Sequence, residues 1–431
     1  MALGEATVPT RIRAFGRETF QSLHIRNFRL FFIGQGISQV GNWLTLVAQA
    51  LFVLRLTGDG VAVGIVTACQ FLPVLLIGAW AGLVADRSDK RRLLIIVNLF
   101  AMVQSFAFGA LAFMDKPPLI AIYSIAFLGG IAFAFDNPTR RAFVVEIVPD
   151  SFVHNAVSLN SAMMTSSRII GPAIAGLLIT TVGYGWCFVG DGFSYIGAIG
   201  ALLLIRTREL RPTTAARRQQ GQIREGLRSA WADPRLKIPL VMMAVIGTLA
   251  FNFQVVFPLM VTRTFGSTEA MFTLLFSVIS VGSLIGALAA ARRHQIEVRD
   301  VVITAAAFGA SMSLFAVAPN LGWAIPIGLL VGGTSVAFLT SSTAIVQVNA
   351  APDMRGRILA LQTIVFLGTT PIGGPILGWL SDTTNPRVAV LLGGVSTLLA
   401  AVWGAFASRR RARVGDEHPF TEPDLEFPEP A

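Results

Sequence analysis

Two charged side chains, Arg168 and Asp191, are the only ones inside the stretch 155–206, which Arg206 ends. A charge inside an apolar run costs about 2.5–3.5 kcal/mol at the centre of a bilayer on insertion scales, so such groups usually serve a function. Both are candidates for coupling. Three tasks stay open for Arg168: attracting an anionic group on a bound molecule, favouring the charged form of a nearby carboxylate, or tying helix-end carbonyls together as structure. A second constellation is polar and uncharged. Gln35, Ser38, Asn42, Thr45 and Gln49 recur at spacings of 3, 4, 3 and 4, which places them on one face of a helix, with Gln39 and Trp43 beside it. Hydrocarbon penalises exposed amides, so this face meets either other helices through hydrogen bonds or a wet cavity. Asn252, in a later apolar run, is a candidate for the same cavity.

Other chemistry is missing from the sequence. The four histidines (His24, His154, His294 and His418) all fall outside the apolar runs, which excludes a histidine proton relay there. No phosphate-cradling loop, metal-ligand cluster or nucleophile triad is present, and no cofactor is expected. Cys69 and Cys187 read as small packing residues and exclude a disulfide scaffold. Of the 431 residues, 54% are apolar and 13% charged, against about 25% charged in soluble domains. Mean hydropathy is +0.66. This excludes a soluble enzyme, a disordered chain and a coiled coil, and leaves an all-α polytopic membrane protein with the lipid bilayer as its partner.

A spanning helix takes about 20 mostly apolar residues. Runs 30–54, 61–85, 93–114, 117–135, 238–262, 270–291, 358–381 and 388–408 meet that length. Run 301–352 is long enough for two spans, split at Pro319-Asn320-Leu321-Gly322. Run 155–206 is likewise split at Gly183-Tyr184-Gly185. The total is twelve spans. Of the 34 Lys and Arg side chains, 29 then fall on one set of loops and four on the other, Arg168 being the last. Basic loops stay cytoplasmic, so both termini are expected inside, at the plasma (inner) membrane. The net charge of +10 reflects this rule and not a nucleic-acid partner.

The chain divides into a cytoplasmic segment 1–29, a six-helix bundle 30–205, a linker 206–237, a second bundle 238–408 and an acidic tail 409–431, expected to be disordered. Arg55 and Gly58 after span one match Arg263 and Gly266 after span seven. Pro149-Asp150 with Gly171-Pro172 at span five match Pro352-Asp353 with Gly374-Pro375 at span eleven. These pairs predict two pseudo-symmetric halves, an arrangement in which the binding site lies between the repeats. In the linker, Ile223, Leu227 and Trp231 share a helical face among arginines and read as an amphipathic helix on the inner membrane surface.

Between spans two and three stands Gly82-Leu83-Val84-Ala85-Asp86-Arg87-Ser88-Asp89-Lys90-Arg91-Arg92. This resembles the loop motif of the major facilitator superfamily, with Asp89 in place of the second glycine and Lys90 in place of an arginine. Asp136-Asn137-Pro138, Arg168-x-x-Gly171-Pro172 and FRLFFIGQGISQVGNW in span one are similar to the branch that holds enterobactin exporters and macrolide efflux proteins. The resemblance implies a monomeric secondary transporter that exports a small amphipathic compound in exchange for protons by alternating access; the alternatives are an importer of the same fold and a non-transporting membrane scaffold. It further implies that Asp86, Arg87, Arg91 and Asp136 form an inner-face charge network, with Asp86 and Arg91 paired, that holds the halves in the outward-open state.

Overall fold

The computed structural model describes residues 20–211, 222–291, 296–351 and 354–417. Among these, the chain is helical throughout, and twelve helices are long and apolar enough to cross a membrane. They are α1 (Arg26–Thr57), α2 (Gly60–Arg87), α3 (Lys90–Ala112), α4 (Leu119–Ile147), α5 (Asp150–Thr181), α6 (Tyr184–Leu203), α7 (Pro234–Thr264), α8 (Glu269–Ala290), α9 (Val298–Ala316), α10 (Leu321–Asn349), α11 (Leu361–Thr383) and α12 (Pro386–Arg409). At 1.5 Å per residue, 20 residues cover about 30 Å, the thickness of a hydrocarbon core. Large apolar side chains such as Leu76, Phe100, Ile120, Leu177, Leu203 and Phe406 are exposed on the outer surface. A soluble chain could not carry so broad an apolar surface.

The packing repeats itself. In the first half α2 packs on α4, α3 on α6 and α1 on α6; in the second, α8 packs on α10, α9 on α12 and α7 on α12. The halves meet through two equivalent seams, α2 against α11 and α5 against α8. The turns after α1 and α7 both use a left-handed glycine, Gly58 at φ 63° and Gly266 at φ 60°. A side chain would be strained there, so this pair of glycines is a structural trace of the repeat.

The seams depend on residues without side chains. A Cβ on Gly64 would sit 2.6 Å from the Gly374 carbonyl oxygen, and one on Gly60 3.0 Å from that of Gly378. Small residues of this kind let membrane helices approach backbone to backbone. In the other seam Gly176 faces Thr273. All of these residues lie toward the end opposite the chain termini. Toward the terminal end the apolar core separates. One cluster, including Phe28, Phe31, Leu94 and Phe143, belongs to the first half. Another, including Leu236, Leu240, Val346 and Ile358, belongs to the second. The two halves therefore share one core at one end and keep separate cores at the other.

Two details depart from the sequence reading. Helix α7 is interrupted: it runs to Leu249, resumes at Phe253 and ends in a π turn over Met260–Thr264. The last helix runs on to Glu417, beyond the expected end of the bundle at 408. The rest of the expected tail, 418–431, lies outside the described residues, as does 1–19 of the first segment. The linker does form a helix, Gln222–Ala232. Leu227 and Trp231 are exposed on it and Lys237 stands over the Trp231 ring; the Ile223 side chain lies outside the described residues.

Gly64→Val should wedge the α2–α11 seam. Overpacking of this size costs about 1–3 kcal/mol. The expected result is faster alkylation of a single cysteine placed at Val61, and an unchanged rate would show that the seam does not rest on this contact.

Candidate functional site

The polar stripe of α1 faces inward, but its members divide among several environments. Gln35 is buried with neither amide atom hydrogen-bonded. Ser38 and Asn42 line a small polar pocket inside the first half, shared with Gln70, Asn98 and Asp136. Thr45 donates to the Asp191 Oδ2 at 2.7 Å. Gln49 is buried. Asn252 stands at the break in α7, where its side chain donates to the Thr248 carbonyl at 2.7 Å and its own oxygen is unpartnered. Gly373 of α11 lies against that break, so a Cβ there would strike the Thr248 carbonyl and Asn252. Irregular backbone at membrane depth occurs where it lines a cavity or is buried in protein, which places Asn252 at the interface between α7 and α11.

Asp191 occupies a more central position than its place in the sequence suggests. On α6, a short span, it reads as peripheral; in the structure it is 1% exposed. Thr45 of α1 and Ser105 of α3 donate to Oδ2 at 2.7 and 2.6 Å, and Ser194 donates to Oδ1 at 3.3 Å. Among the described residues no cation pairs with it. Gly41 makes room for the carboxylate, since a Cβ there would collide with it. A carboxylate served only by hydroxyls can hold a proton or release it without breaking an ion pair, because a hydroxyl both donates and accepts.

Arg168 is separate from Asp191, as the depth difference between α5 and α6 predicts. Its guanidinium lies 4.8 Å from the Trp43 ring centre, a cation–π contact, and its Nε is buried without a partner. Gly171, one turn further on, packs on Trp43 and the Val40 carbonyl, which brings α5 close enough for this contact.

The four residues of the expected charge network do not meet in this conformation. Arg91, expected opposite Asp86, donates instead to the Leu202 and Leu203 carbonyls of α6 at 2.7 and 3.0 Å. The last carbonyls of a helix have no intrahelical partner, which makes them ready acceptors. Asp86 and Arg87 are exposed. Asp136 pairs with Arg140 one turn along α4. Lys90, at the start of α3, is buried in an ion pair with Glu146 at 2.8 Å. Sequence reasoning missed Arg140 and Glu146. The available signal was one turn's spacing from Asp136 for Arg140, and for Glu146 an acid at the end of a span beside a basic loop.

At the opposite end the halves are joined by charge. Asp382 of α11 caps the N-terminus of α2, accepting from the Gly60 and Val61 amides at 2.9 and 2.8 Å. Arg263, at the end of α7, donates to Asp382 at 2.5 Å and also to the Gly58 carbonyl. Asp59 accepts from the same Val61 amide at 2.8 Å and shares a hydrogen bond with Asp382, which together with burial holds its carboxyl above the usual carboxylate range. At the corresponding depth on the other seam a hydrogen bond takes the place of the ion pair: Tyr184 of α6 donates to Glu269 of α8 at 2.6 Å.

Twelve membrane-length helices in two repeat-related halves, taken with the family and relatives the chain matches, make it a membrane transporter of the major facilitator superfamily. The chain belongs to the transmembrane secretion effector family, whose profile matches residues 17–431, in the efflux branch of that superfamily. It is 24% identical to the staphyloferrin A transporter of Staphylococcus aureus, over 89% of this chain and 96% of the relative. It is 26% identical to the multidrug efflux pump Tap of Mycolicibacterium fortuitum, over 86% and 93%. Among solved structures, the nucleoside transporter NupG superposes with a TM-score of 0.72 at 14% identity, over 89% of this chain and 99% of that one.

The Asp59–Asp382 contact carries a pH dependence. Because closure raises the Asp59 pKa, the closed latch binds a proton more readily than the open one. Its stability is fully present below the ordinary carboxylate value of 3.8 and is lost as pH rises through the raised one. Cysteine alkylation at Val61 should therefore speed up as pH increases across that window, after correction for thiolate content. Asp59→Asn should flatten the dependence, and a profile unchanged in that variant would remove Asp59 from the latch.

Proposed function

We propose that the chain exports a small amphipathic organic compound, drug-like or siderophore-like, from the cytoplasm by proton antiport with alternating access, acting as a monomer. The observation that carries this reading is the pairing of a latch at one face with separate apolar cores of the two halves at the basic, terminal face, an arrangement that supports a cleft open on that side. Basic loops stay cytoplasmic, so the cleft opens to the cytoplasm, where an exporter takes up its cargo. Relatives named for staphyloferrin A transport and for multidrug efflux support a small organic cargo.

In this reading the Gln35 amide and the Asn252 amide oxygen, both unpartnered, serve the cargo from opposite halves, with Gln49 continuing the wall on α1, while Ser38, Asn42 and Thr45, expected in the same wall, stand instead at the pocket and at Asp191. Arg168 attracts an acidic group on the cargo, and Trp43 holds its guanidinium in place. Asp191 carries the proton. In the state closed at the terminal face, Arg91 leaves the α6 carbonyls and joins Asp86, Arg87 and Asp136 in the inner charge network. Importers of the same fold share all of this geometry except direction. Inverted and right-side-out vesicles assayed in parallel separate the two: uptake into inverted vesicles, driven by an inward-acid gradient, is the expected result.

Efflux is expected to collapse with a protonophore and to persist when ATP is depleted while the gradient is held. Transport that tracked ATP would overturn the coupling. At Arg168, lysine keeps the charge and loses the planar fork. Transport should fall in Arg168→Lys and nearly vanish in Arg168→Ala, with membrane abundance unchanged. Normal transport by the alanine variant would rule out its role.

A further inference from the structure

We infer that protons cross the first half along a path of their own, from Asp191 through Tyr195 and a small hydrated pocket to Asp136, apart from the cleft that carries the cargo. This rests on the antiport reading above.

The residues are in descending order. Helices α4 and α6 both run from the latched face toward the terminal face. At 1.5 Å per residue, Asp191 lies about 10 Å below the start of α6, Tyr195 about 16 Å, and Asp136 about 26 Å below the start of α4. Tyr195 is 6% exposed, stands one helical turn below Asp191, and lies within electrostatic reach of both Asp191 and Arg140. Beside and below it is the polar pocket, bounded by α1, α2, α3, α4 and α6 and lined by Tyr195, Asp136, Arg140, Ser38 and the amides of Asn42 and Asn98. About 30 Å³ is open there to the centres of water-sized molecules, and one water needs roughly 10–15 Å³ by the same measure. The pocket is polar enough to hold such waters and too small for an organic cargo.

A second observation points to solvent in the pocket. Arg140 is 2% exposed, yet its Nε and one terminal nitrogen have no protein partner. Unpartnered guanidinium N–H groups at this depth are costly unless water meets them. The other titratable or charged groups facing the route are few. Helix α4 supplies Asp136, Arg140 and Arg141, and α6 supplies Asp191 and Tyr195; α1, α2 and α3 contribute only hydroxyls and amides.

The transfer balances without a charged tyrosine. The proton on the Asp191 carboxyl passes to the Tyr195 phenol oxygen as the phenol releases its own proton to a pocket water. A water proton then passes to the Asp136 carboxylate. Asp191 is left ionised and Asp136 neutral, and Asp136, which is partly exposed, returns the proton to the terminal side. Arg140 is a positioning residue: it holds Asp136 ionised until the proton arrives. In this arrangement Arg140 acts on the proton path and Arg168 on the cargo, and neither group serves both.

The test needs no known cargo. The full-length protein in lipid vesicles is followed by infrared spectroscopy after a pH jump, reading the carboxylic acid band that Asp191→Asn removes. In the wild type the band should appear and vanish with pH. In Tyr195→Phe, and in Ala101→Leu, which fills the pocket from α3, its rate of change should slow by roughly 100-fold or more, the low end of what a positioned proton-transfer group supplies. Two variants at different points guard against a folding defect in one. Equal rates in both variants and the wild type would overturn the path while leaving Asp191 as the carrier. A wild-type band that never titrates would instead overturn the antiport reading itself.

Discussion

The structure depends on how closely two helices can approach at one end. Gly60 and Gly64 on α2 meet Gly378 and Gly374 on α11 backbone to backbone, and no side chain stands between them. That approach lets Asp382 reach the N-terminus of a helix in the other half and lets Arg263 span Asp382 and Gly58 together. It also fixes the tilt of each half. With one end drawn together, the terminal ends part, their cores separate into two clusters, and the cleft between them opens. A bulkier seam would leave the latch without reach and the cleft without a closed end.

Each charged group is stabilised in a different way. The Asp382 carboxylate has two amides, an arginine and a helix dipole. Lys90 and Glu146 are buried together. Asp191 has three hydroxyls and no cation, and Arg168 has an aromatic face and one unpartnered nitrogen. The first two arrangements hold charge in place. The last two leave it without a counter-charge among the described residues. This contrast, more than depth in the membrane, separates the structural ion pairs from the candidate working groups.

The fold was legible in the sequence because each of its rules is local. Hydropathy marked the spans, basic loops marked one face, and Gly58 and Gly266 marked the repeat that their matching backbone angles display. The α1 stripe was legible as a face, since a period of 3.6 fixes direction. It could not reveal that Thr45 is committed to Asp191 while Gln35 is bonded to nothing, because a helical period carries no information about which neighbour arrives. The latch joins Gly60 to Asp382 across 322 residues, and each of its charges alone reads as a residue at a span end. The break at Asn252 has no proline in it and left no local mark. Arg140 was counted with the loop cations, and only packing shows that it is buried beside Asp136.

The charges deep in the described spans all sit in one half: Asp136, Arg140, Arg168 and Asp191 precede the linker, whereas those of the second half lie near helix ends. Its interior offers the interrupted α7, Asn252 and a group of phenylalanines around Phe251. Substitutions along α7 and α11 can therefore reshape that interior without placing a new charge beside Asp191 or Arg140, so change in one half need not disturb the ionised groups of the other.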